Sequence, residues 1–202
     1  MLETRQSFRF KLSHRQLKKL DVADCTTAAV SLVFRFNSSK VLELLFMQRA
    51  YNDADPWSGQ ICFPGGRFEQ SDLSMKTTAE RETQEEMGFQ LQPKDYIGQL
   101  DDTLGPIVGD KKTVHVSSFV YLLEKTPKID SNYEVENVIW VPLTDLVAPN
   151  RRVHFDHPSV ANVTMQGVRF DTLSRDGEPL VLWGLSFYLM QHAITALELE
   201  SR

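Results

Sequence analysis

A chain of 202 residues with 42% apolar side chains, 24% charged side chains and a formal net charge of −5 has the composition of an ordinary globular protein with room for one core. It has no Lys/Arg-rich run, which argues against nucleic acid as a partner; an anionic small molecule stays open, because bound cations can invert the charge of a site. Cys25 and Cys62 form no CxxC pair, which argues against a zinc centre or a disulfide framework.

Residues 1–24 read as a helical lead, with a short helix over His14 to Leu20. The start is polar and lacks the apolar centre of a signal peptide, and no apolar stretch reaches the roughly 18 residues of a membrane helix. The expectation is a cytoplasmic chain without a membrane partner. Thr27 to Phe36, rich in β-branched and apolar residues, predicts a strand. NSSK follows as a turn, and Val41 to Gln48 reads as the hairpin partner. Tyr51 to Gly59 carries Asn, Asp, Pro and Gly and reads as a loop. Ile61 to Phe63 reads as a short strand ending at Pro64-Gly65-Gly66. The best-marked helix covers Ser74 to Met87, with Ser74 as N-cap and Gly88 as the glycine beyond its end. Tyr96 to Leu100, Thr113 to Glu124 and Val138 to Val141 predict strands, and Pro142 to Val147 a short helix. Weak strands near Val160 to Met165, Val168 to Asp171 and Pro179 to Val181 precede a final helix over residues 185–199. In that helix Phe187, Met190, Ile194 and Leu197 keep helical spacing, as core residues do. This order predicts an α+β fold, a mixed β-sheet flanked by helices, as one domain over residues 1–202.

Chemistry concentrates in the central helix. Glu82, Glu85 and Glu86 stand at i, i+3 and i+4 on one side of it. Like charges so close repel, and a hard divalent cation such as Mg²⁺ or Mn²⁺ relieves the repulsion. Met75, Ala79, Thr83 and Met87 form the buried stripe, with Glu82 and Glu86 at its border; Glu80 and Gln84 point to solvent. Arg81 falls beside the carboxylates, where charge-assisted hydrogen bonds can orient them. A solvated, Glu-rich surface helix is the bland alternative. Against it stand the Arg-Glu pair, the Glu-Glu pair, the closing glycine and the upstream Gly-Gly turn, all at fixed offsets.

The segment from Gly66 to Phe89 resembles the Nudix box, Gly-x5-Glu-x7-Arg-Glu-U-x-Glu-Glu-x-Gly-U, where U is a bulky apolar residue. Arg81 to Phe89 match, with Thr83 in one U position. The first half carries one extra residue: counting back from Arg81 puts Leu73 at the acid position, counting forward from Gly66 puts Asp72 there. In the family this acid supports structure rather than chemistry. Upstream, Arg49, Ala50, Gly59 and Phe63 to Gly66 are similar to the extra motif of the coenzyme A diphosphatase branch. Met47 replaces its Thr, Ala54 stands where a second Arg belongs, and one extra residue precedes Gly59. Trp183-Gly184-Leu185-Ser186 also resembles a tract of that branch.

The resemblance implies the Nudix fold, an α/β/α sandwich. It implies Glu82 and Glu86 as principal metal ligands, Glu85 as a third carboxylate and the backbone carbonyl of Gly65 or Gly66 beside them. The reaction implied is hydrolysis of the diphosphate of coenzyme A or an acyl-CoA. ADP-ribose, a nucleotide sugar or a dinucleotide is the competing substrate, and a non-catalytic nucleotide-binding domain the competing class. Glu134 and Glu136, or Asp101 and Asp102, are the candidates for the general base, as is Glu82 through bound water. Arg49 and Arg67 either meet substrate phosphates or pair with the acids. Trp57 either stacks on a base or caps the core. His154 and His157 lack a second ligand pair, which argues against zinc. A homodimer stays open.

Overall fold

The structure, a computed structural model, describes residues 2–20, 25–55, 57–106, 113–156 and 163–199. The elements run α1 (Leu2–Ser13), β1 (Thr26–Phe36), β2 (Leu42–Arg49), β3 (Ile61–Cys62), β4 (Gly65–Arg67), α2 (Met75–Met87), β5 (Tyr96–Gln99), β6 (Thr103–Pro106), β7 (Thr113–Leu122), β8 (Val135–Pro142) and α3 (Leu143–Val147). A 3₁₀ turn at Pro149–Arg151 leads to β9 (Arg152–Asp156), β10 (Thr164–Leu173), β11 (Pro179–Trp183) and α4 (Gly184–Ala196). The main sheet runs β3-β2-β1-β7-β5, with β4 added on β1, β6 on β7 and β8 on β2. Its central pair, β1 with β7, is parallel. The other pairs are antiparallel. The sheet is therefore mixed, as the sequence predicts.

Long apolar runs with period two explain why helices cover both faces. Along β1, β2 and β7, Ala29, Val33, Leu45, Met47, Phe119 and Tyr121 pack with Ala79 and Met87 of α2. The alternate residues Leu32, Phe34, Leu44, Phe46, Val120 and Leu122 face Phe8 and Leu12 of α1, Phe187, Met190 and Ile194 of α4, and the second sheet. That sheet, β11-β10-β9, is antiparallel. Its Phe170 ring lies 5.3 Å from Phe46, which also contacts Phe63 at 4.8 Å, so aromatic packing joins the two sheets. Phe187, Met190, Ile194 and Leu197 are all buried. Among the described residues, no helix is long and apolar enough to cross a membrane.

Several expectations need correction. The N-terminal helix covers Leu2–Ser13 rather than His14 to Leu20. Its anchors are tertiary: Phe8 and Leu12 are core residues one turn apart, and buried Arg5 donates to the Leu122 and Lys94 carbonyls beside Asp95. Strand β3 ends before Pro64, as expected, but Gly65 and Gly66 open a further strand, β4, pairing with Val30 and Ala29. The weak tail strands before Asp171 form one strand, β10, starting at Thr164, and residues 160–162 lie outside the described residues. Strands β6 and β9 were not foreseen. β9 alternates polar and apolar residues too briefly to stand out, yet pairs with β10 over five positions. Glu80 does not face solvent freely: it accepts from the Tyr121 hydroxyl at 3.1 Å and pairs with Lys76.

Candidate active site

Helix α2 begins where Ser74, extended at φ −169°, accepts the Thr77 amide hydrogen. It ends at Gly88, whose φ of 74° is left-handed and whose N–H donates to the Gln84 carbonyl. A side chain at Gly88 would also meet the chain passing over it, with its Cβ 2.4 Å from the Asp130 carbonyl oxygen. That passing segment is held by α2: Asp130 N–H donates to the Met87 carbonyl at 3.1 Å and Asn132 N–H to the Glu86 carbonyl at 3.2 Å. Two residues later, Glu134 is set near the acids of the helix.

Arg81 is the hub of the acids. Its Nε and Nη2 reach the two carboxylate oxygens of Asp72 at 3.0 and 3.1 Å. Its Nη1 reaches Glu82 at 3.0 Å and Glu85 at 3.2 Å, and Nη2 also donates to the Arg67 carbonyl at 3.1 Å. Asp72 further accepts from the Thr78 hydroxyl at 2.8 Å and the Glu69 amide at 3.0 Å. The Arg81 guanidinium, ahead of these other bonds, holds the Asp72 carboxyl well below the usual range. Leu73 is 93% exposed, so of the two readings of the acid position the structure selects Asp72, and the extra residue is absorbed in the loop.

Glu86 lies deeper, 3% exposed. It accepts the Gly65 N–H at 2.9 Å. Burial pushes its pKa up to about 8, and the charges of Glu82 and Glu134 add to the rise while the Gly65 amide and Arg49 oppose it. Burial raises Glu82 too, against the pull of Arg81. The Glu82 carboxylate presses on Gly66: a Cβ there would lie 2.3 Å from Oε1. At Gly65, φ is 153° and a Cβ would lie 2.3 Å from the Ala29 carbonyl oxygen. Gly65 therefore requires glycine, by its backbone conformation and the Ala29 carbonyl, whereas at Gly66 a side chain would displace the Glu82 carboxylate.

The expected convergence of Glu82, Glu85 and Glu86 on one point is not present: among the described residues, no three acidic, His or Cys side chains converge closely enough to hold a metal ion. The cause is local, since Arg81 engages Glu82 and Glu85 while Gly65 engages Glu86. The donor set still suits Mg²⁺ or Mn²⁺, which take carboxylate and carbonyl oxygens. Glu86 is a buried acid whose charged form lacks a cationic partner strong enough to offset its burial.

A cavity of about 280 Å³ opens across the glycine pair, on the face of β1 and β7 opposite α2. Gly65 and Gly66 line it, so they form a thin wall between cavity and carboxylates. Most of the remaining lining is apolar: Val30, Val116, Ile61, Phe63, Trp57, Met165, Trp183, Leu185 and Leu189. Among the described residues Arg49 brings a cationic group to it, held by Asp55 through Nε at 2.9 Å and Nη2 at 2.7 Å. Cys62 also faces it, its thiol pushed up to about 12 by burial and by Glu86.

A family model for the NUDIX domain matches residues 26–163. The chain belongs to the Nudix family. A protein of Schizosaccharomyces pombe is 36% identical over 110 residues, 52% of this chain and 33% of that protein. A probable nudix hydrolase of the same yeast is 27% identical over 80% of this chain and 53% of its own. The Nudix hydrolase NudL of Yersinia pestis is 24% identical over 73% and 69%. The chain thus spans between a third and about half of the first two relatives. Among solved structures, a MutT/nudix family protein from Enterococcus faecalis superposes with a TM-score of 0.60 at 16% identity, covering 98% of this chain and 74% of that one. The NUDIX domain of Shewanella oneidensis NrtR, solved with ADP ribose, superposes with a TM-score of 0.50 at 21% identity, covering 68% and 84%. Both likenesses are of fold.

Seen on this Nudix fold, the expected site residues separate. Glu82, Glu85, Glu86 and Gly66 lie together, with Glu134 acting on Glu82 and Glu86 through its charge. Arg49 and half-buried Trp57 line the cavity. Arg67 is exposed, outside the cavity lining, and contributes its carbonyl to Arg81. Glu136 is engaged by Arg175 through two bonds of 2.9 and 2.6 Å. Asp101 is bound to Arg15 at 2.8 Å, and Asp102 to Ser117 at 2.8 Å and His115 at 3.0 Å. None of these partners belongs to the carboxylate cluster. His154 pairs within β9 and β10, and His157 lies outside the described residues. Sequence reasoning missed Met165, Gln60 and Leu189 as cavity residues. It noticed the Trp183–Ser186 tract only as a likeness, with no role.

Proposed function

We propose that the chain is a metal-dependent hydrolase that cleaves the diphosphate linkage of a nucleotide derivative, with coenzyme A or an acyl-CoA as the first choice of substrate. The observation that carries this reading is the glycine wall: one side bears three carboxylates, one of them the buried acid Glu86 of raised pKa, the other an apolar cavity lined in part by Arg49. A diphosphate carrying an apolar arm matches both sides. Glu82, Glu85, Glu86 and the Gly66 carbonyl would hold Mg²⁺ or Mn²⁺. When bound, the metal supplies charge neutralisation at the diphosphate and a lowered pKa for attacking water. Arg81 orients Glu82 and Glu85, and Asp72 fixes Arg81. Arg49 meets a phosphate oxygen by exchanging its hold on Asp55. Glu134 accepts the proton of the water as its oxygen attacks phosphorus and the phosphorus–oxygen bond to the leaving phosphate breaks.

ADP-ribose, a nucleotide sugar or a dinucleotide is the second reading. It is favoured by Ala54, which stands where the coenzyme A branch carries its second arginine, and by the ADP ribose bound to the NrtR domain. The test is hydrolysis of coenzyme A, ADP-ribose, a nucleotide sugar and a dinucleoside polyphosphate with Mg²⁺ or Mn²⁺, with Glu86→Gln as control. Preference for coenzyme A, lost in the variant, supports the first reading. Cleavage of another compound keeps the chemistry and rejects the substrate. No turnover, with nucleotide binding unchanged in Glu86→Gln, replaces both by a binding domain.

A further inference from the structure

The Tyr51–Gly59 loop, whose Trp57 lines the cavity, is tied to two distant segments through one side chain. Arg175 stands in the turn between β10 and β11, closed by the Ser174 N–H to Glu178 carbonyl bond of 2.8 Å. Its guanidinium grips both oxygens of Glu136 at 2.9 and 2.6 Å and lies 4.3 Å over the Tyr51 ring. Its backbone N–H reaches the Tyr51 hydroxyl at 3.4 Å. That hydroxyl accepts from Gln48 at 3.1 Å, and the same amide of Gln48 donates to the Gly59 carbonyl at 3.2 Å. Asn137 completes the chain by donating to Gln48 at 2.6 Å. Gly59 has no room for a side chain against Tyr51, where a Cβ would lie 2.8 Å from the ring. The network thus spans the loop bearing Trp57, the strand following Glu134 and the C-terminal hairpin, whose Met165 and Trp183 also line the cavity.

We propose that Arg175 is a positioning residue, fastening the C-terminal hairpin to the Tyr51–Gly59 loop and to Glu136 so that the cavity keeps its shape for the nucleotide diphosphate. The proposal rests on the hydrolase reading for its ligand but not for its geometry. Arg175 lies beyond the residues matched by the NUDIX domain, 26–163, while its partners Tyr51 and Glu136 lie within them. A lone exposed ion pair contributes little. Here one guanidinium makes a two-pronged carboxylate contact and a ring contact at once, and it joins segments nearly forty residues apart in the case of Glu136.

The test compares the full chain with Arg175→Ala, Arg175→Lys and Glu136→Gln. Amide hydrogen exchange is measured without ligand, and KM and kcat with Mg²⁺ on whichever compound of the panel is cleaved. Arg175→Ala and Glu136→Gln are expected to speed exchange over residues 51–60 and 134–137 about fivefold, leaving β1 and α2 unchanged, the scale of a well-formed surface pair. KM should rise by a similar factor with kcat within about twofold, and Arg175→Lys should recover part of both effects. Unchanged exchange in these segments, or a rise spread evenly through β1 and α2, overturns the latch. A fall in kcat at constant KM overturns the positioning role. If the wild-type chain cleaves nothing, the hydrolase reading fails and exchange alone decides the latch.

Discussion

The two sides of the glycine wall are built on opposite plans. On the α2 side a short stretch of sequence supplies nearly everything: caps, acids and the arginine that arranges them fall between Gly65 and Gly88. On the cavity side, Val30, Trp57, Val116, Met165 and Trp183 arrive from five separate segments. A local plan fixes a few charged atoms closely, as the proposed chemistry at a phosphate would require. A dispersed plan makes a shape, and a shape can be changed residue by residue without moving the acids. If the proposed hydrolase reading holds, chemistry and selectivity are separable, and substitutions on the two sides should have different signatures.

The largest effect is expected on the α2 side. Arg81→Ala leaves Asp72 as a buried carboxylate without its cation, which should cost about 3 kcal/mol of stability and most of the activity. Chemical denaturation measures the first and the substrate panel the second; a variant of wild-type stability would break the hub interpretation. Glu86→Gln should keep the fold and lower kcat by about a hundredfold or more. Gly66→Ala sharpens the comparison, because its Cβ would push on the movable Glu82 carboxylate at 2.3 Å rather than on backbone. The melting temperature should hardly move while kcat falls by about tenfold. A loss of fold instead would show that the glycine serves β4 alone. On the cavity side, Trp183→Ala should raise KM by roughly five- to tenfold and leave kcat nearly unchanged. If kcat falls equally, the two sides are not separable.

The smallest effect is one of pH. Glu86 is raised from an ordinary value of 4.5 to about 8, so the folded state prefers it protonated. Its contribution to stability is complete below about pH 4.5 and is lost as the pH rises through about 8. Metal-free protein should melt a few degrees lower at the upper end of this window than in its middle. Asp72, lowered by Arg81, acts in the opposite sense only at more acidic pH. The slope should vanish in Glu86→Gln; a slope that persists there belongs to another group.

The same contrast explains what could be read beforehand. Helix α2 was legible because Ser74, Gly88 and the Ala79–Thr83–Met87 stripe act over one or two turns. The mixed sheet was legible from long β-branched and apolar runs such as Thr27 to Phe36. The Asp72–Leu73 choice was not, since counting residues through a loop gives no geometry; burial and Arg81 decide it. Helix α1 escaped because Arg5, its buried anchor, reads as a surface residue until Asp95 and the Leu122 carbonyl are brought to it. Glu136 and Glu134, two positions apart, looked equivalent as bases; Arg175, from a distant hairpin, engages Glu136, while the charge of Glu134 acts on Glu82 and Glu86. Nor did the polar alternation of β9 announce its partner β10.

The parallel pairing of β1 with β7 has a kinetic consequence. It joins residues about ninety positions apart, Ala29 opposite Ser117 among them, so the chain must close a long loop before its central hydrogen bonds form. Helix α2 and both glycines lie inside that loop. The acids can gather along their helix early, but Gly66 is fixed against Glu82 only once β1 has a place in the sheet. Refolding followed at α2 should then run ahead of refolding followed at β1, with the slower step governed by the non-local strand pairing.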